Sequence, residues 1–258
     1  MMTTWNPAQY LRFADERTQP SLDLVARLQI SSPQTIIDIG CGPGNSTRVL
    51  HNRWPDARVC GLDSSPAMIE AARASSPELN WQLADAATWK AQTPFDLVFS
   101  NATLQWLPRH EVLIPHLFKQ VARGGALAVQ MPAHYASTLH HETLEVAADA
   151  RWNARTQGAR ASLTNHSPSF YYDLLQPLAA RLELWETEYI HVLSGPQAIV
   201  DWFRATGLRP YLEVLTETER ADFEAALLEK YRAKYPQQSD GRILFPFRRL
   251  FFIAYQQD

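Results

Sequence analysis

A glycine-rich turn in the first third of the chain has the residue types needed to bind a charged small molecule. The turn follows a short apolar run and reads Asp38-Ile39-Gly40-Cys41-Gly42-Pro43-Gly44. Glycines permit a tight turn and let a ligand approach the backbone. The third glycine comes one residue too early for the G-x-G-x-x-G pattern of dinucleotide loops. The turn therefore predicts a ligand site, and its spacing disfavours a dinucleotide.

Two further aspartates follow predicted strands in the same half of the chain. Asp63 comes about 19 residues after Gly44, where nucleotide-binding α/β proteins place an acid on ribose hydroxyls. Asp85 follows the next predicted strand. Together with Asp38, these residues would line one edge of a sheet. Such an edge suits a ligand that carries an ammonium group, a diol and an amino-purine.

The charge of Asp38 discriminates between two cofactors. A carboxylate at this point would repel a pyrophosphate but attract the ammonium group of a methionine-like moiety. The turn therefore favours S-adenosylmethionine over NAD. A nicotinamide-dependent oxidoreductase is kept as an alternative.

The elements around these residues alternate between strand and helix. Strands are predicted at residues 35–39, 58–62, 81–83, 95–100 and 126–131, and helices at 45–53, 66–74 and 111–121. Ser65 is placed to cap the second of these helices, with Pro66 at its first position. This alternation predicts a parallel sheet that is covered on both faces.

The second half of the chain has a different pattern. Strands are predicted at 182–193 and 250–255, and helices at 169–180, 196–205 and 217–235, while 133–168 reads as irregular. We expect a single domain over 1–258, with a cofactor-binding core at 30–132. The segments 133–168 and 194–245 are predicted to be inserts that form a lid over the substrate.

Composition excludes several classes of partner. The 258 residues are 46% hydrophobic and carry a net charge of −3, which gives no general attraction to nucleic acid or to an anionic membrane. We expect a cytoplasmic protein, since no run approaches the about 20 apolar residues of a membrane span. Cys41 and Cys60 read as reduced thiols, and no metal site is expected. The oligomeric state stays open, and a monomer is compatible with the sequence.

Residues 35–131 resemble the class I S-adenosylmethionine-dependent methyltransferases in the order of the strands, the glycine turn and the strand-end acids. The resemblance implies an α/β, doubly wound, Rossmann-like sheet of seven mostly parallel strands with an antiparallel strand at one edge. It also implies S-adenosyl-L-methionine as cofactor and S-adenosyl-L-homocysteine as its product, with a helical insert that covers the substrate.

The loop after the fourth strand indicates the kind of acceptor. It reads Ser100-Asn101-Ala102-Thr103-Leu104-Gln105-Trp106-Leu107-Pro108 and contains neither an evident general base nor an Asp-Pro-Pro-Tyr-like signature. A carboxylate acceptor has an ordinary pKa near 4 and is already ionised, so it needs no base. We predict no general base and place Trp106 as an aromatic wall beside the reacting centre.

An acidic substrate must be held by cations, and arginine suits carboxylates well. Arg209 follows a predicted helix that ends at Gly207, whose left-handed cap would turn Arg209 inward. The predicted substrate-binding residues are Arg209, Tyr171, His134 and Arg242. The candidate positioning residues are Trp106, Arg209 and Tyr10.

A closer resemblance spans nearly the whole chain. It rests on Trp5-Asn6-Pro7-Ala8-Gln9-Tyr10-Leu11, on Ala128-Val129-Gln130-Met131-Pro132 and on residues 40–47, 64–69, 101–108 and 201–210. These motifs are similar to those of the bacterial trans-aconitate methyltransferase family. The resemblance implies a tricarboxylate substrate that becomes a monomethyl ester, and an N-terminal aromatic segment that covers the cofactor.

The complete set of predicted cofactor contacts combines both lines of reasoning. It consists of Trp5, Tyr10, Asp38, Gly40, Gly42, Gly44, Asp63, Ser64, Met68, Asp85, Ala86, Asn101 and Gln105. The acceptor stays open between trans-aconitate, another small acid, an acyl carrier and a hydroxylated natural product. A non-catalytic S-adenosylmethionine-binding protein is a further alternative.

Overall fold

A computed structural model of the chain describes residues 14–204 and 206–257, with side chains from residue 18 onward except that of Ala136. The strands are β1 (Thr35–Ile39), β2 (Arg58–Asp63), β3 (Asn80–Leu83), β4 (Phe95–Asn101), β5 (Val121–Pro132), β6 (Arg181–Leu193) and β7 (Ile243–Tyr255). The helices are α1 (Ala14–Arg27), α2 (Asn45–Arg53), α3 (Pro66–Ser75), α4 (His110–Phe118), α5 (Thr138–Ala147), α6 (Asn153–Arg160), α7 (Pro168–Leu175), α8 (Pro196–Arg204), α9 (Arg209–Val214) and α10 (Glu217–Lys234).

The seven strands form one sheet in the order β3-β2-β1-β4-β5-β7-β6. Strands β1 to β5 pair in parallel, and β7 runs antiparallel to β5. The predicted seven-stranded, mostly parallel α/β fold is confirmed. One detail was wrong: the antiparallel strand β7 lies between β5 and β6, because β6 takes the edge position.

Strand β7 begins seven residues before its predicted start at residue 250. Its first half alternates, with Ile243, Phe245 and Phe247 buried and Leu244 exposed. This two-residue period is typical of a strand with one solvated face. The predicted insert 194–245 therefore ends inside a strand.

Residues 133–168, which were predicted to be irregular, contain helices α5 and α6. The error has a physical reason. The buried face of α5 includes the polar residues Glu142 and Thr143 beside Leu139 and Val146, and these interrupt the apolar period. Thr143 is satisfied in the interior because its hydroxyl donates to the Leu139 carbonyl at 2.7 Å and lies 2.9 Å from the Tyr231 hydroxyl of α10. Tertiary contacts thus permit a helix that hydrophobic periodicity alone does not indicate.

Local capping explains where α3 begins. The Ser65 hydroxyl accepts a hydrogen bond from the Met68 backbone N–H at 3.4 Å, and Pro66 stands at the first helical position. The predicted cap is confirmed.

Helix α1 had not been predicted, and helices α4 and α7 end three and five residues earlier than expected.

The chain divides into two compact units. Within the described residues, the first comprises 14–132, His166–Glu186 and 249–257, and the second comprises Ala133–Asn165 and Thr187–Arg248. The first unit contains β1 to β5 and the glycine turn. The second contains most of both predicted inserts. No described helix is long and apolar enough to cross a bilayer.

Candidate functional site

A cavity that is open to solvent lies at the carboxyl ends of the strands of the first unit. Its walls come from the glycine turn and from the segments that follow β2, β3 and β4. The lining residues are Gly40, Gly42, Pro43, Leu62, Asp63, Ser64, Met68, Ala84, Asp85, Ala86, Asn101, Ala102, Thr103, Trp106 and Leu107.

Gly40 is required by the shape of the turn. Its φ of +71° lies in the left-handed region, and an added Cβ would come within 2.0 Å of Thr103 Cγ2. The Gly40 N–H donates to the Leu62 carbonyl at 2.6 Å, while the Thr103 hydroxyl donates to the Gly40 carbonyl at 2.9 Å. The turn is therefore fixed against both β2 and the loop after β4.

Asp63 ends β2 and lines the cavity. Its Oδ2 accepts from the Gly42 N–H at 2.9 Å, and its Oδ1 accepts from the Ser65 N–H at 2.8 Å. Burial raises the pKa of Asp63, and its backbone hydrogen bonds oppose this rise. A carboxylate oxygen has room for more than one donor, so Asp63 can hold the turn and still accept from a ribose hydroxyl.

Asp38 lies completely buried in β1 and does not line the cavity. Its Oδ2 accepts hydrogen bonds from Ser46 and Thr47 of α2, each at 2.7 Å. Burial raises the pKa of Asp38 to about 6, against the lowering effect of these two hydroxyls and with a smaller rise from Asp63. A cation near this carboxyl group would favour its ionised form.

Three buried acceptor oxygens around the cavity have no hydrogen-bond partner among the described residues. They are Asp38 Oδ1, Asn101 Oδ1 and Gln105 Oε1. Buried polar atoms are nearly always satisfied, so such a group of orphans indicates a missing donor. An amino-acid ammonium group supplies three N–H donors. The residues present thus fit the methionine end of S-adenosylmethionine.

Part of the cavity wall is less polar. Met68 and Ala86 are nearly buried and line the wall beside Asp85. Asp85 is exposed, and its Oδ1 accepts from the Ala87 N–H at 2.9 Å. A thioether and a methyl group offer an apolar contact for a purine ring, with a carboxylate within the same wall.

The cavity brings together most of the predicted cofactor residues: Gly40, Gly42, Asp63, Ser64, Met68, Asp85, Ala86, Asn101 and the positioning candidate Trp106. Gly44, Asp38 and Gln105 are not among its lining residues. Gly44 instead provides the N-cap of α2 with a left-handed backbone. The predicted contacts of Trp5 and Tyr10 lie outside the described residues.

Tyr171, predicted to bind substrate, lies in the interior of the first unit. It is 0% exposed, its ring stacks on Phe252, and its hydroxyl is 2.6 Å from His110 Nδ1. The burial of the whole side chain speaks against the predicted contact with substrate.

The other predicted substrate residues belong to the second unit. Arg209 is the first residue of α9, with 16% of its side chain exposed, and its Nε lies 3.7 Å from Glu213 Oε1. Burial lowers the pKa of Arg209, and Glu213 opposes this effect. His134 is buried beside His140, whereas Arg242 is 63% exposed and pairs with Asp240.

The predicted left-handed cap at Gly207 is wrong. Gly207 is absent from the described glycines with positive φ. Close packing explains instead why this position needs a glycine, because an added Cβ would lie 1.8 Å from Phe203 Cε2. The Phe203 ring therefore occupies the space beside the Gly207 backbone.

One group in the described part of the chain offers metal-ligand atoms near one another: His141, Glu142 and Glu145. Lys230 and Lys234 form ion pairs with these two acids at 2.5–3.7 Å. Two ammonium groups at the same carboxylates oppose a cation there. The expected absence of a metal stays a prediction.

Sequence reasoning missed Ser46 and Thr47, which hold Asp38, and also Thr103, which fixes the turn. Ser46 and Thr47 had a usable signal, since two hydroxyl residues directly follow a strand acid and a glycine turn at the start of a helix. Thr103 had none, because its contact with Gly40 crosses 63 positions.

Comparison with known proteins agrees with this geometry. A family profile described as a methyltransferase domain matches residues 36–125. The structure of Haemonchus contortus phosphoethanolamine N-methyltransferase 2, in complex with phosphomonomethylethanolamine and S-adenosylhomocysteine, is similar with a TM-score of 0.59 at 14% identity. The similarity covers 93% of this chain and 53% of that one, and it shows the fold. Fold and profile together define a class I methyltransferase architecture.

Two curated proteins are much closer. The trans-aconitate 2-methyltransferase of Azoarcus sp. (strain BH72) is 49% identical over 98% of this chain and 99% of its own length. That of Methylobacterium radiotolerans is also 49% identical, over 98% of each chain. The chain belongs to the trans-aconitate 2-methyltransferase family. The family predicted from sequence is confirmed.

Proposed function

We propose that this protein transfers the methyl group of S-adenosyl-L-methionine to one carboxylate of trans-aconitate. The products are a methyl ester and S-adenosyl-L-homocysteine. The observation that carries the proposal is the 49% identity, over nearly the full length of both chains, to proteins named for this reaction.

The cavity of the first unit supports the cofactor half of the proposal. Asp38, Asn101 and Gln105 supply the acceptors for the ammonium group, and Asp63 accepts from the ribose hydroxyls. Met68 and Ala86 contact the adenine ring, with Asp85 as an acceptor for its amino group. This assignment gives a partner to each of the three buried oxygens that lack one within the described structure.

The protein's part in the reaction is to bind and align. When bound, S-adenosylmethionine supplies an electrophilic methyl group. The acceptor carboxylate is ionised at neutral pH, so no side chain has to remove a proton. The chain instead places the acceptor in line with the methyl group and keeps water out. Trp106, at the cavity wall, provides the apolar surface for this alignment.

Arg209 is our candidate for binding a substrate carboxylate. Its side chain is 16% exposed, and its Nε lies 3.7 Å from Glu213 Oε1. A guanidinium group can bind a carboxylate through two parallel hydrogen bonds. His134 and Arg242 complete the proposed acid-binding set, with Arg242 as the weaker member because its side chain is 63% exposed.

The deciding experiment measures transfer of labelled methyl from S-adenosylmethionine to trans-aconitate, cis-aconitate, citrate and isocitrate. We expect selective labelling of trans-aconitate, with the label released by mild alkali as for an ester. Labelling of a different acid would retain the chemistry and change the substrate. Cofactor binding without any labelled acid would overturn the proposal. The cytoplasmic location and the absence of nucleic-acid and membrane partners stay predictions.

A further inference from the structure

His110 and Tyr171 form a buried pair next to the cavity. His110 is the first residue of α4 and Tyr171 lies in α7, and both are 0% exposed. The Tyr171 hydroxyl is 2.6 Å from His110 Nδ1, and His110 Nε2 is 2.9 Å from the Leu104 carbonyl. The imidazole ring thus connects α7 to the loop after β4.

The chemistry of these contacts determines the tautomer of His110. A carbonyl oxygen only accepts, so Nε2 carries the proton and donates to Leu104. Burial lowers the pKa of His110, which keeps the ring neutral near pH 7. Nδ1 then has a lone pair and accepts from the Tyr171 hydroxyl at 2.6 Å, which is shorter than the 3.4 Å from the same hydroxyl to Met131 Sδ. Stacking on Phe252, with 5.2 Å between the ring centroids, holds the tyrosine in place.

The loop that receives this hydrogen bond has a strained backbone. Ala102 and Arg109, which bracket it, have φ values of 53° and 60°, in the left-handed region that non-glycine residues rarely adopt. Such conformations persist only where surrounding contacts enforce them. At the first end, the Ala102 N–H donates to the Gln130 carbonyl at 2.9 Å. At the second end, His110 follows Arg109 and donates a hydrogen bond from Nε2 to the Leu104 carbonyl.

The loop between these two anchors supplies one wall of the cavity, including Thr103, Trp106 and Leu107. Leu104 and Trp106 belong to the same single turn of 3-10 helix. A displacement of the Leu104 carbonyl therefore moves Trp106 with it, while Thr103 keeps its own hydrogen bond to the glycine turn.

We propose that Tyr171 and His110 are positioning residues that act through the Leu104 carbonyl to hold Trp106 at the reacting centre. This inference rests on the proposed function in one respect, the placement of methyl transfer beside Trp106. Loss of the Tyr171 hydroxyl should disturb alignment more than cofactor binding, because the anchors at Ala102 and Thr103 remain and the Gln105 side chain keeps its own hydrogen bond to the Ala102 carbonyl at 2.7 Å.

The test is Tyr171→Phe, with the adjacent and exposed Tyr172→Phe as its matched control. For Tyr171→Phe we expect kcat to fall about 10-fold while the KM for S-adenosylmethionine changes less than about 2-fold. Tyr172→Phe should behave as wild type. Nitrogen NMR of labelled histidine should show His110 as the neutral tautomer with the proton on Nε2.

Two results would overturn the proposed relay, which runs from Tyr171 through His110 to the Leu104 carbonyl. One is an unchanged kcat in Tyr171→Phe, whether or not its melting temperature falls, because the hydroxyl would then have at most a structural role. The other is a His110 ring that carries its proton on Nδ1 or is cationic at pH 7.5. If Tyr171→Phe fails to fold, the tautomer of His110 in the wild-type protein becomes the deciding measurement.

Failure of the proposed function is recognised separately. If the wild type methylates none of the acids, the readout becomes the Trp106 indole resonance, assigned with Trp106→Phe, on addition of S-adenosylhomocysteine. The relay predicts the same shift in wild type and Tyr172→Phe and a different one in Tyr171→Phe. Identical shifts in all three proteins overturn it.

Discussion

Asp63 holds the glycine turn directly, because its Oδ2 accepts a hydrogen bond from the Gly42 N–H at 2.9 Å. The end of β2 and the turn after β1 are thereby joined by a side chain of the proposed ribose site. Binding of the cofactor and the shape of the turn should consequently depend on the same carboxylate.

Asp63→Ala should weaken binding of S-adenosylhomocysteine by roughly 1 to 3 kcal/mol, since the ribose hydroxyls of the ligand and the Gly42 N–H lose their acceptor. Isothermal titration calorimetry measures this as a Kd raised roughly 5- to 150-fold. The exposed Asp56→Ala serves as control and should bind as wild type. Wild-type affinity in Asp63→Ala would remove Asp63 from the site.

Asp38 should make folding stability depend on pH. Burial raises the pKa of Asp38 from 3.8 to about 6, so the folded protein takes up this proton more readily than the unfolded chain. The stability that this protonation contributes to the folded state is fully present below pH 3.8, the pKa in the unfolded chain, and is lost as the pH rises through 6. This difference in pKa corresponds to about 3 kcal/mol.

Urea unfolding of wild type and Asp38→Asn between pH 4 and 7 measures this effect. The stability of the variant relative to wild type should rise with pH by up to about 3 kcal/mol. A difference that stays constant across this range would contradict the raised pKa. Asp56→Asn, which changes an exposed aspartate, is the matched control.

Cofactor binding should depend on pH through the same residue. An ammonium group favours the ionised form of Asp38, so the affinity for S-adenosylhomocysteine should increase as the pH rises through about 6. Calorimetry in buffers of different ionisation enthalpy should detect proton release on binding near that pH. Asp38→Asn should abolish both effects, and a pH dependence that survives this substitution would assign it to another group.

Arg209→Ala should raise the KM for trans-aconitate more than it changes the Kd of the cofactor, because the proposed contact of the lost guanidinium group is with the acid alone. We expect an increase of at least about 10-fold, measured by steady-state kinetics with each substrate varied in turn. Arg232, an exposed arginine that also pairs with a glutamate on its own helix, is the matched control. Equal losses for both ligands would exclude the assignment.

Gly207→Ala should destabilise the second unit by about 1 to 3 kcal/mol, since the new methyl group would overlap the Phe203 ring. Gly158→Ala is the control in the same unit: it lies exposed in α6 with no atom within 4 Å of its added Cβ. That change should stabilise the helix by roughly 0.5 to 1 kcal/mol. Urea denaturation compares the two, and a neutral Gly207→Ala would refute the packing argument.

Local sequence features determined much of the cofactor half of the protein. The glycine turn, the acids at Asp63 and Asp85 and the cap at Ser65 depend on residues close together in the chain, and all of them appear where the sequence predicted them. Strand and helix alternation likewise predicted the parallel sheet, because neighbouring parallel strands need a crossover connection.

Tertiary structure alone decided the features that join distant residues. The pairing of β7 with β5, the contact of Thr103 with Gly40 and the pairing of His110 with Tyr171 each join residues more than 60 positions apart. The burial of Asp38 beneath α2 raised its pKa, and buried Glu142 and Thr143 concealed a helix. Burial and long-range hydrogen bonds arise only when the chain packs, so the local sequence pattern does not contain them.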